Sequence, residues 1–241
     1  MLVPFAHARK ACEAVSAVFR AGITPSALEF MERDAIDWTL EHVEGIPVKV
    51  AADVKAHLLI EVDGNHADAM MKDCEAIVQV MESYECGEIL FAESAADKDA
   101  LWKLRRSVAV AVKANSVYKE EDTVVPRYAL PDLLDGVKKI GARYGFRSVC
   151  YGHAGDGNLH VNIIKGQLSD HAWEHELPKA IREIFQLTVS LGGTLSGEHG
   201  IGLVQRQYMD IAFDQNQLAL MRGIKDLFDP HGILNPGKVL P

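Results

Sequence analysis

The feature that most limits the fold is a glycine-rich connection between two short apolar segments. Residues 147–151 and 159–164 each have the composition of a β-strand, and three glycines lie in the stretch between them. Glycine permits the positive φ angles and close backbone approach of a tight turn. Two strands joined this closely favour an antiparallel hairpin, so a purely parallel sheet is disfavoured.

Helices and strands alternate along the rest of the chain, with no internal sequence repeat. Helical periodicity predicts helices over 7–21, from 26 through Trp38, and over 66–84, 97–114, 131–145, 170–191 and 214–228. The second of these begins with a capping box of Ser26 and Glu29. Further strands are expected at 57–62, 88–92 and 123–126. This order predicts one compact α+β unit over 1–241, ferredoxin-like, with a largely antiparallel sheet covered by helices and a helical C-terminal extension.

Charge and cysteine usage exclude several classes of protein. Lys and Arg number 25 against 34 Asp and Glu, a net charge of −9, which argues against nucleic acid as the main partner. The four cysteines are scattered, which predicts free thiols in a reducing cytoplasm. The longest uncharged apolar runs, such as 107–112, are far shorter than the ~20 residues of a membrane helix. We therefore expect no transmembrane segment, and contact with the inner membrane only through partners.

Two histidines flank the glycine-rich turn. His153 and His160 lie on opposite sides of it, so a hairpin can direct both imidazoles to one point. Asn162 is two residues beyond His160 on the same strand and shares its face. Paired histidines are good ligands for Zn²⁺ or a similar ion. The alternative is that the glycines only form a turn and the histidines cap its backbone.

A second glycine-rich segment, 192–202, contains Glu198 and His199. Glu198 could complete a metal site of two histidines and one glutamate that leaves positions open for substrate. Histidine is the common proton-transfer residue of enzymes that work near neutral pH, so His199 suits proton transfer. A flexible loop or a helix cap would account for the same pattern.

Other candidate residues carry weaker signals. Arg105, on the helix of 97–114, could bind a carboxylate with two hydrogen bonds, although an exposed helical arginine is common. Lys119 and Asp122 on their own indicate a charged surface turn. The sequence has no dinucleotide fingerprint, P-loop or HExxH helix, so it has no recognisable phosphate cradle.

Together these segments resemble the C-terminal half of the FAD-linked 2-hydroxy acid dehydrogenases. That family includes glycolate oxidase flavin subunits, D-lactate dehydrogenases and D-2-hydroxyglutarate dehydrogenases, within the vanillyl-alcohol oxidase superfamily. The matching motifs lie at 23–31, 101–105, 152–162, 196–202 and 228–238. The resemblance extends over essentially the whole chain.

The resemblance implies a role for each candidate residue. The implied set is His153, His160 and Glu198 as ligands of zinc or manganese, Arg105 and Lys119 near the substrate carboxylate, Asn162 in the same pocket, and His199 as general base. The tail, 212–241, with Asn235 as a cofactor contact, would return to the flavin. After Lys119 the family often has Tyr-Asp, whereas this chain has Glu120, Glu121 and Asp122.

The resemblance also implies an activity. It is the oxidation of a small (D)-2-hydroxy acid, such as glycolate or lactate, to the 2-oxo acid by hydride transfer to FAD. The family holds FAD in an N-terminal domain that this sequence lacks, so we expect that domain in cis or in trans and no oxidation by this chain alone. Two alternatives are a metal-dependent hydrolase that uses the same three ligands and a non-catalytic metal-binding or assembly domain.

Overall fold

The computed structural model describes all 241 residues as one sheet and eight α-helices. The strands are β1 Leu2–Phe5, β2 Ala27–Glu32, β3 Ala56–Glu61, β4 Tyr118–Val124, β5 Arg147–Gly152 and β6 Asn158–Ile164. The helices are α1 Ala8–Arg20, α2 Arg33–His42, α3 Ala67–Ser83, α4 Ala95–Asn115, α5 Leu130–Tyr144, α6 Leu177–Ser190, α7 Met209–Ala212 and α8 Gln215–Phe228. The predicted α+β class and the antiparallel sheet are confirmed.

The sheet consists of two halves with the same strand arrangement. Its order is β1-β3-β2-β5-β6-β4, and every neighbouring pair is antiparallel. In the first half, β1 to β3, the third strand lies between the other two, and the second half, β4 to β6, repeats this arrangement. The halves meet between β2 and β5, where only Phe30 pairs with Gly152 and Met31 with Tyr151. The strand arrangement is thus repeated in the structure, although the amino-acid sequence has no internal repeat.

Helices cover both faces of the sheet. Side chains such as Phe30 and Val161 point into the larger core, which they share with α1, α5 and α6. Met31 and Val149 point to the opposite face and pack with α2 and α4. Successive residues of a strand point to opposite faces, and both faces are covered by helices, so the central strands have apolar residues on both sides.

Local signals begin several of the helices. The Ser94 hydroxyl accepts a hydrogen bond from the backbone N–H of Asp97 at 3.2 Å, and the Asp97 carboxylate accepts one from the Ser94 N–H at 3.0 Å. This capping box satisfies backbone donors that have no partner inside α4. In α5, Pro131 occupies the first turn, where its missing N–H costs nothing.

The helix predicted from residue 26 is wrong in its first half. Residues Ala27–Glu32 form β2, and the helix begins only at Arg33. Five of the six residues of β2 are buried, so the strand shows no alternation of apolar and polar residues. Because the helix follows this strand directly, the apolar residues of the two elements together have the spacing of a single helix. Ser26 does not cap a helix, since its hydroxyl donates to the carbonyl of Glu61.

Three other boundaries differ from the prediction. Strand β4 begins at Tyr118, five residues before the predicted 123, because the charged residues at its start are partly or fully buried. Residues 88–92 form no strand, and only Leu90 pairs with Leu2 in an isolated bridge. The helix predicted over 170–191 begins with a π-helical turn, Ala172–Glu176, before α6.

Two simple predictions about the whole chain agree with the structure. All four cysteines are free, and no two of them form a disulfide. No helix combines the length and the apolar character that crossing a bilayer requires.

Candidate active site

One row of paired residues crosses the whole sheet on the face that α2 and α4 cover. In spatial order the row consists of Pro4, His57, Met31, Tyr151, His160 and Asp122. His160 and Asp122 therefore lie side by side on the second half of this face. In the first half, the connection from β2 to β3 contains α2, which packs on this face. The connection from β5 to β6 is only the turn 153–157.

That turn depends on Gly157. Its φ angle is +77°, and a Cβ atom there would lie 1.9 Å from the carbonyl oxygen of Val125. Any side chain would clash with that oxygen, so glycine is required by both the backbone angle and the lack of space. The tight turn brings the ring of His153 to 5.9 Å from the ring of His160, edge to face.

Glu198 reaches the two histidines from a separate loop. Its Oε1 lies 3.2 Å from Nε2 of His160 and 3.6 Å from Nε2 of His153. One ligand atom from each residue falls within 4.8 Å of the others. Two imidazole nitrogens and one carboxylate oxygen are a donor set that suits zinc or manganese. The three residues therefore fit a divalent metal.

Asp122 holds the loop that carries Glu198. Its Oδ2 accepts hydrogen bonds from the Ser196 hydroxyl at 2.9 Å and from the backbone N–H groups of Glu198 and His199, both at 2.8 Å. Burial alone would raise the pKa of Asp122, but these bonds and one from Asn158 lower it to about 2. The expectation that Asp122 lies in a charged surface turn is wrong, because the residue is fully buried in β4.

Gly197 allows the loop to approach the sheet. A Cβ atom at this position would lie 2.1 Å from Nδ2 of Asn158 and 3.1 Å from Oδ1 of Asp122. The backbone of the loop therefore lies against the amide that itself donates to Asp122 at 2.6 Å. Gly197 is therefore required for close packing alone, whereas Gly157 is required both for its positive φ angle and for space.

His199 and Glu120 flank His160. The ring of His199 stacks on that of His160 at 5.0 Å, and its Nε2 lies 3.8 Å from Oε1 of Glu198. Oε1 of Glu120 lies 3.4 Å from Nδ1 of His160, too poorly aligned for a hydrogen bond, so this buried nitrogen has no partner. Burial lowers the pKa of His160 to about 4, which keeps its imidazole neutral, the form that binds metal.

Arg105 is not an exposed helical arginine. It is buried beneath α4, where its Nε and Nη2 both lie 2.8 Å from Oε2 of Glu29. Its guanidinium carbon lies 5.4 Å above the ring of Tyr151, the cross-strand neighbour of His160. Nε and Nη2 are thus the atoms that pair with Glu29, and Nη1 takes no part in that ion pair.

The remaining predicted site residues occupy different places. Asn162 is buried beside the cluster, where its Oδ1 has no partner. Lys119 lies on the opposite face of β4, with its ammonium donating to the carbonyl of Trp173 at 3.3 Å. Asn235 lies in the C-terminal tail at φ +47°, where it lines a surface groove with Phe228 and Leu234. The structure thus brings Asn162 to the histidines but not Lys119 or Asn235.

Sequence reasoning missed Glu29 as a site residue. Because β2 was predicted as a helix, Glu29 was interpreted as part of a capping box. In the strand, Glu29 lies two residues before Met31 and shares its face, which is the face of His160. A buried glutamate in a strand would have been the signal for a charged partner nearby.

The chain is similar to known proteins over nearly its whole length. One family model, described as FAD linked oxidases, C-terminal domain, matches residues 1–239. The chain is 29% identical over 243 residues to a D-lactate dehydrogenase of Anaerostipes hadrus, covering 99% of this chain and 51% of that protein. It is 33% identical over 245 residues to the glycolate oxidase subunit GlcD of Escherichia coli (strain K12), covering 100% and 48%. The chain therefore spans about half the length of these relatives.

Solved structures share the fold at lower identity. A crystal structure of p-cresol methylhydroxylase with substrate bound matches with a TM-score of 0.70 and 12% identity. The match covers 99% of this chain and 52% of that one. At this level of identity the likeness concerns the fold alone.

Proposed function

The chain belongs to the FAD-linked oxidase C-terminal domain family, and we propose that it is the substrate- and metal-binding half of a 2-hydroxy acid dehydrogenase. The proposed reaction oxidises a small hydroxy acid, glycolate or D-lactate in kind, to the 2-oxo acid. The observation that carries the proposal is the convergence of His153, His160 and Glu198 on one point, with His199 and Arg105 beside it.

The proposed metal ligands are His153, His160 and Glu198, and zinc or manganese suits them. When bound, the metal lowers the pKa of a hydroxyl that it ligates, and FAD from a flavin-binding domain in cis or in trans accepts a hydride. The names of the two relatives, a D-lactate dehydrogenase and a glycolate oxidase subunit, support a hydroxy acid as the substrate class.

The chain's own residues bind and orient the substrate. Nη1 of Arg105 would hold the carboxylate and select against neutral alcohols. Nε2 of His199 would take the proton of the α-hydroxyl, since its half-exposed ring lies against the ring of His160. Asn162 would offer its unpartnered Oδ1 to the same pocket. We leave Lys119 out of this set because it faces the opposite side of β4.

The tail from residue 212 is proposed to contact the flavin-binding domain. Large apolar side chains on α8 and after it are exposed, among them Leu227, Phe228 and Ile233. The chain spans about half the length of its relatives, which leaves room for a domain that covers this surface. Asn235 is the proposed cofactor contact in this tail.

The decisive experiment joins the 241-residue chain to a flavin-binding domain of the family, in cis or in trans. Anaerobic addition of glycolate or D-lactate should bleach the flavin, and EDTA or His199→Ala should abolish bleaching. His171→Ala, an exposed histidine outside the cluster, is the matched control and should bleach normally. Bleaching that survives both EDTA and His153→Ala would remove the metal from the proposal. Metal-dependent ester hydrolysis without flavin would instead support the hydrolase.

A further inference from the structure

Glu29 is the one acidic side chain that contacts both a candidate metal ligand and the candidate substrate clamp. Its Oε1 lies 2.9 Å from Nδ1 of His153, and its Oε2 lies 2.8 Å from Nε and Nη2 of Arg105. The carboxylate is almost fully buried, with 7% of its side chain exposed. Both of its oxygens are therefore committed to site residues.

We propose that Glu29 is a positioning residue that holds His153 as a metal ligand and at the same time neutralises Arg105 in the buried part of the site. This inference rests on the proposed metal-binding function and adds the residue on which that function depends. Glu29 comes from the first half of the sheet, whereas the ligands His153, His160 and Glu198 come from the second half or from the loop beyond it.

The contact with Glu29 fixes which nitrogen of His153 faces the cluster. The Glu29 carboxylate accepts a hydrogen bond from Nδ1–H, so the lone pair of the neutral ring lies on Nε2, which is 3.6 Å from Oε1 of Glu198. A partner of this kind orients a ligand imidazole and increases its basicity. His160 differs, because its ring is confined by the rings of Tyr151 and His199 and its Nδ1 has no hydrogen bond.

The same carboxylate keeps Arg105 compatible with a metal nearby. A buried guanidinium without a counter-ion would repel a divalent cation and would be costly to desolvate. Glu29 compensates the charge and also fixes the guanidinium over Tyr151. Removal of Glu29 should therefore loosen His153 and leave a positive charge unpaired beside the metal.

The test is a Co²⁺ titration of the 241-residue chain, followed by the visible absorption of the bound ion. Glu29→Gln should weaken Co²⁺ binding by about 10–100-fold, the effect typical of losing an outer partner of a ligand histidine. It should also change the absorption bands, since they report the arrangement of the ligands. Glu32→Gln is the matched control, since Glu32 is another buried, ion-paired glutamate on β2 that pairs with Lys138 instead. The control should keep the wild-type affinity and spectrum.

A second comparison guards against simple misfolding. Because Glu29→Gln leaves Arg105 without a counter-ion, the double variant Glu29→Gln/Arg105→Gln is compared with Arg105→Gln alone. The double variant should bind Co²⁺ about 10-fold or more weakly than Arg105→Gln. Wild-type affinity and spectrum in Glu29→Gln, or equal affinities in the second pair, would overturn this inference and leave the metal site standing. Failure of the wild type itself to bind Co²⁺ would overturn the proposed metal site and, with it, the role of Glu29.

Discussion

The two halves of the sheet place a buried histidine at the same point and surround it differently. His57 pairs with Met31 on β3, His160 pairs with Tyr151 on β6, and Met31 pairs with Tyr151 across the junction. Burial lowers the pKa of each to about 4, and each has an Nδ1 without a partner. By burial and by titration alone, the two histidines cannot be distinguished.

Their neighbours distinguish them. After β2 the chain runs through α2 before it returns as β3, and the nearby charges, Arg33 and Asp37, already form an ion pair with each other. After β5 the chain turns at once, which leaves His160 beside Glu198, His199 and His153. A short turn in place of a covering helix thus makes the difference between a core histidine and a candidate ligand.

The largest expected effect is a loss of Zn²⁺ affinity that occurs when His160 is replaced but not when His57 is replaced. His160→Ala removes a proposed ligand and should weaken Zn²⁺ binding by at least about 100-fold, the upper end of what loss of an outer partner costs. His57→Ala leaves every atom of the cluster in place and should bind Zn²⁺ as the wild type does, although it creates a cavity. Isothermal titration calorimetry on both variants makes the comparison. Equal losses in both would mean that the two halves are not distinct in function.

Asp122, the neighbour of His160 in the row, should contribute the next largest effect. Its pKa of about 2 lies below the ordinary 3.8, so the ionised form stabilises the fold above about pH 4 and this stabilisation is lost as the pH falls towards 2. Asp122→Asn should lower the free energy of unfolding by about 2 kcal/mol at pH 7, and the difference should shrink in acid. Urea unfolding in EDTA at several pH values tests this. The exposed Asp226→Asn should show neither effect, and a deficit that does not depend on pH would contradict the charge argument.

Glu121 lies next to Asp122 but on the opposite face of β4, and its effect on stability should depend on pH in the opposite direction. Burial raises its pKa to about 8, although Gln205 donates to it at 3.4 Å. Its folded pKa lies above the ordinary 4.5, so the protonated form is the stable one and stability falls as the pH rises from about 4.5 to 8.

The corresponding experiment replaces Glu121 by a neutral side chain of the same shape. Between pH 6 and pH 7 the wild type should lose about 1 kcal/mol of unfolding free energy from this group, and Glu121→Gln should not. Urea unfolding at the two pH values measures the difference, with the exposed Glu82→Gln as control. Parallel curves for wild type and Glu121→Gln would show that Glu121 is already ionised in the folded protein.

The smallest effect should come from the ion pairs that join the two halves at the surface. Arg9 on α1, in the first half, contacts Asp132 and Asp135 on α5, in the second half. All three side chains are more than a third exposed, so water screens the attraction. Arg9→Gln should therefore cost less than about 1 kcal/mol, and high salt should reduce even that. Thermal unfolding measures this, and a larger loss of stability that does not depend on salt would show that the surface ion pairs contribute substantially to the stability of the fold.

The hairpin and its two histidines could be predicted from the sequence because their signals are local. Three glycines within a few residues dictate a tight turn, and a tight turn sets the places of His153 and His160. Glu198 and His199 could be singled out for a similar reason, since they interrupt a second run of glycines. That both segments meet followed from the resemblance to a family and not from periodicity.

The residues that organise the site could not be predicted because their partners are distant along the chain. Asp122 is one of several consecutive charged residues, and only the fold shows that it is buried and that three groups of one loop donate to it. Glu29 could not be recognised as a site residue because its strand, β2, runs directly into α2 and the two have the sequence pattern of one helix. Burial on both faces removes the alternation on which strand prediction depends.

The narrow junction between β2 and β5 also has a consequence for the order of folding. Glu29 and His153 are 124 residues apart, and they meet only where the two halves pair through two residues of each strand. Closing so long a loop costs entropy before any contact repays it, so such contacts form late. Each half can build its own three strands first, and the contact of Glu29 with His153 forms only when the halves dock. The fixing of the His153 ring by Glu29 would then mark the moment at which the molecule has finished folding.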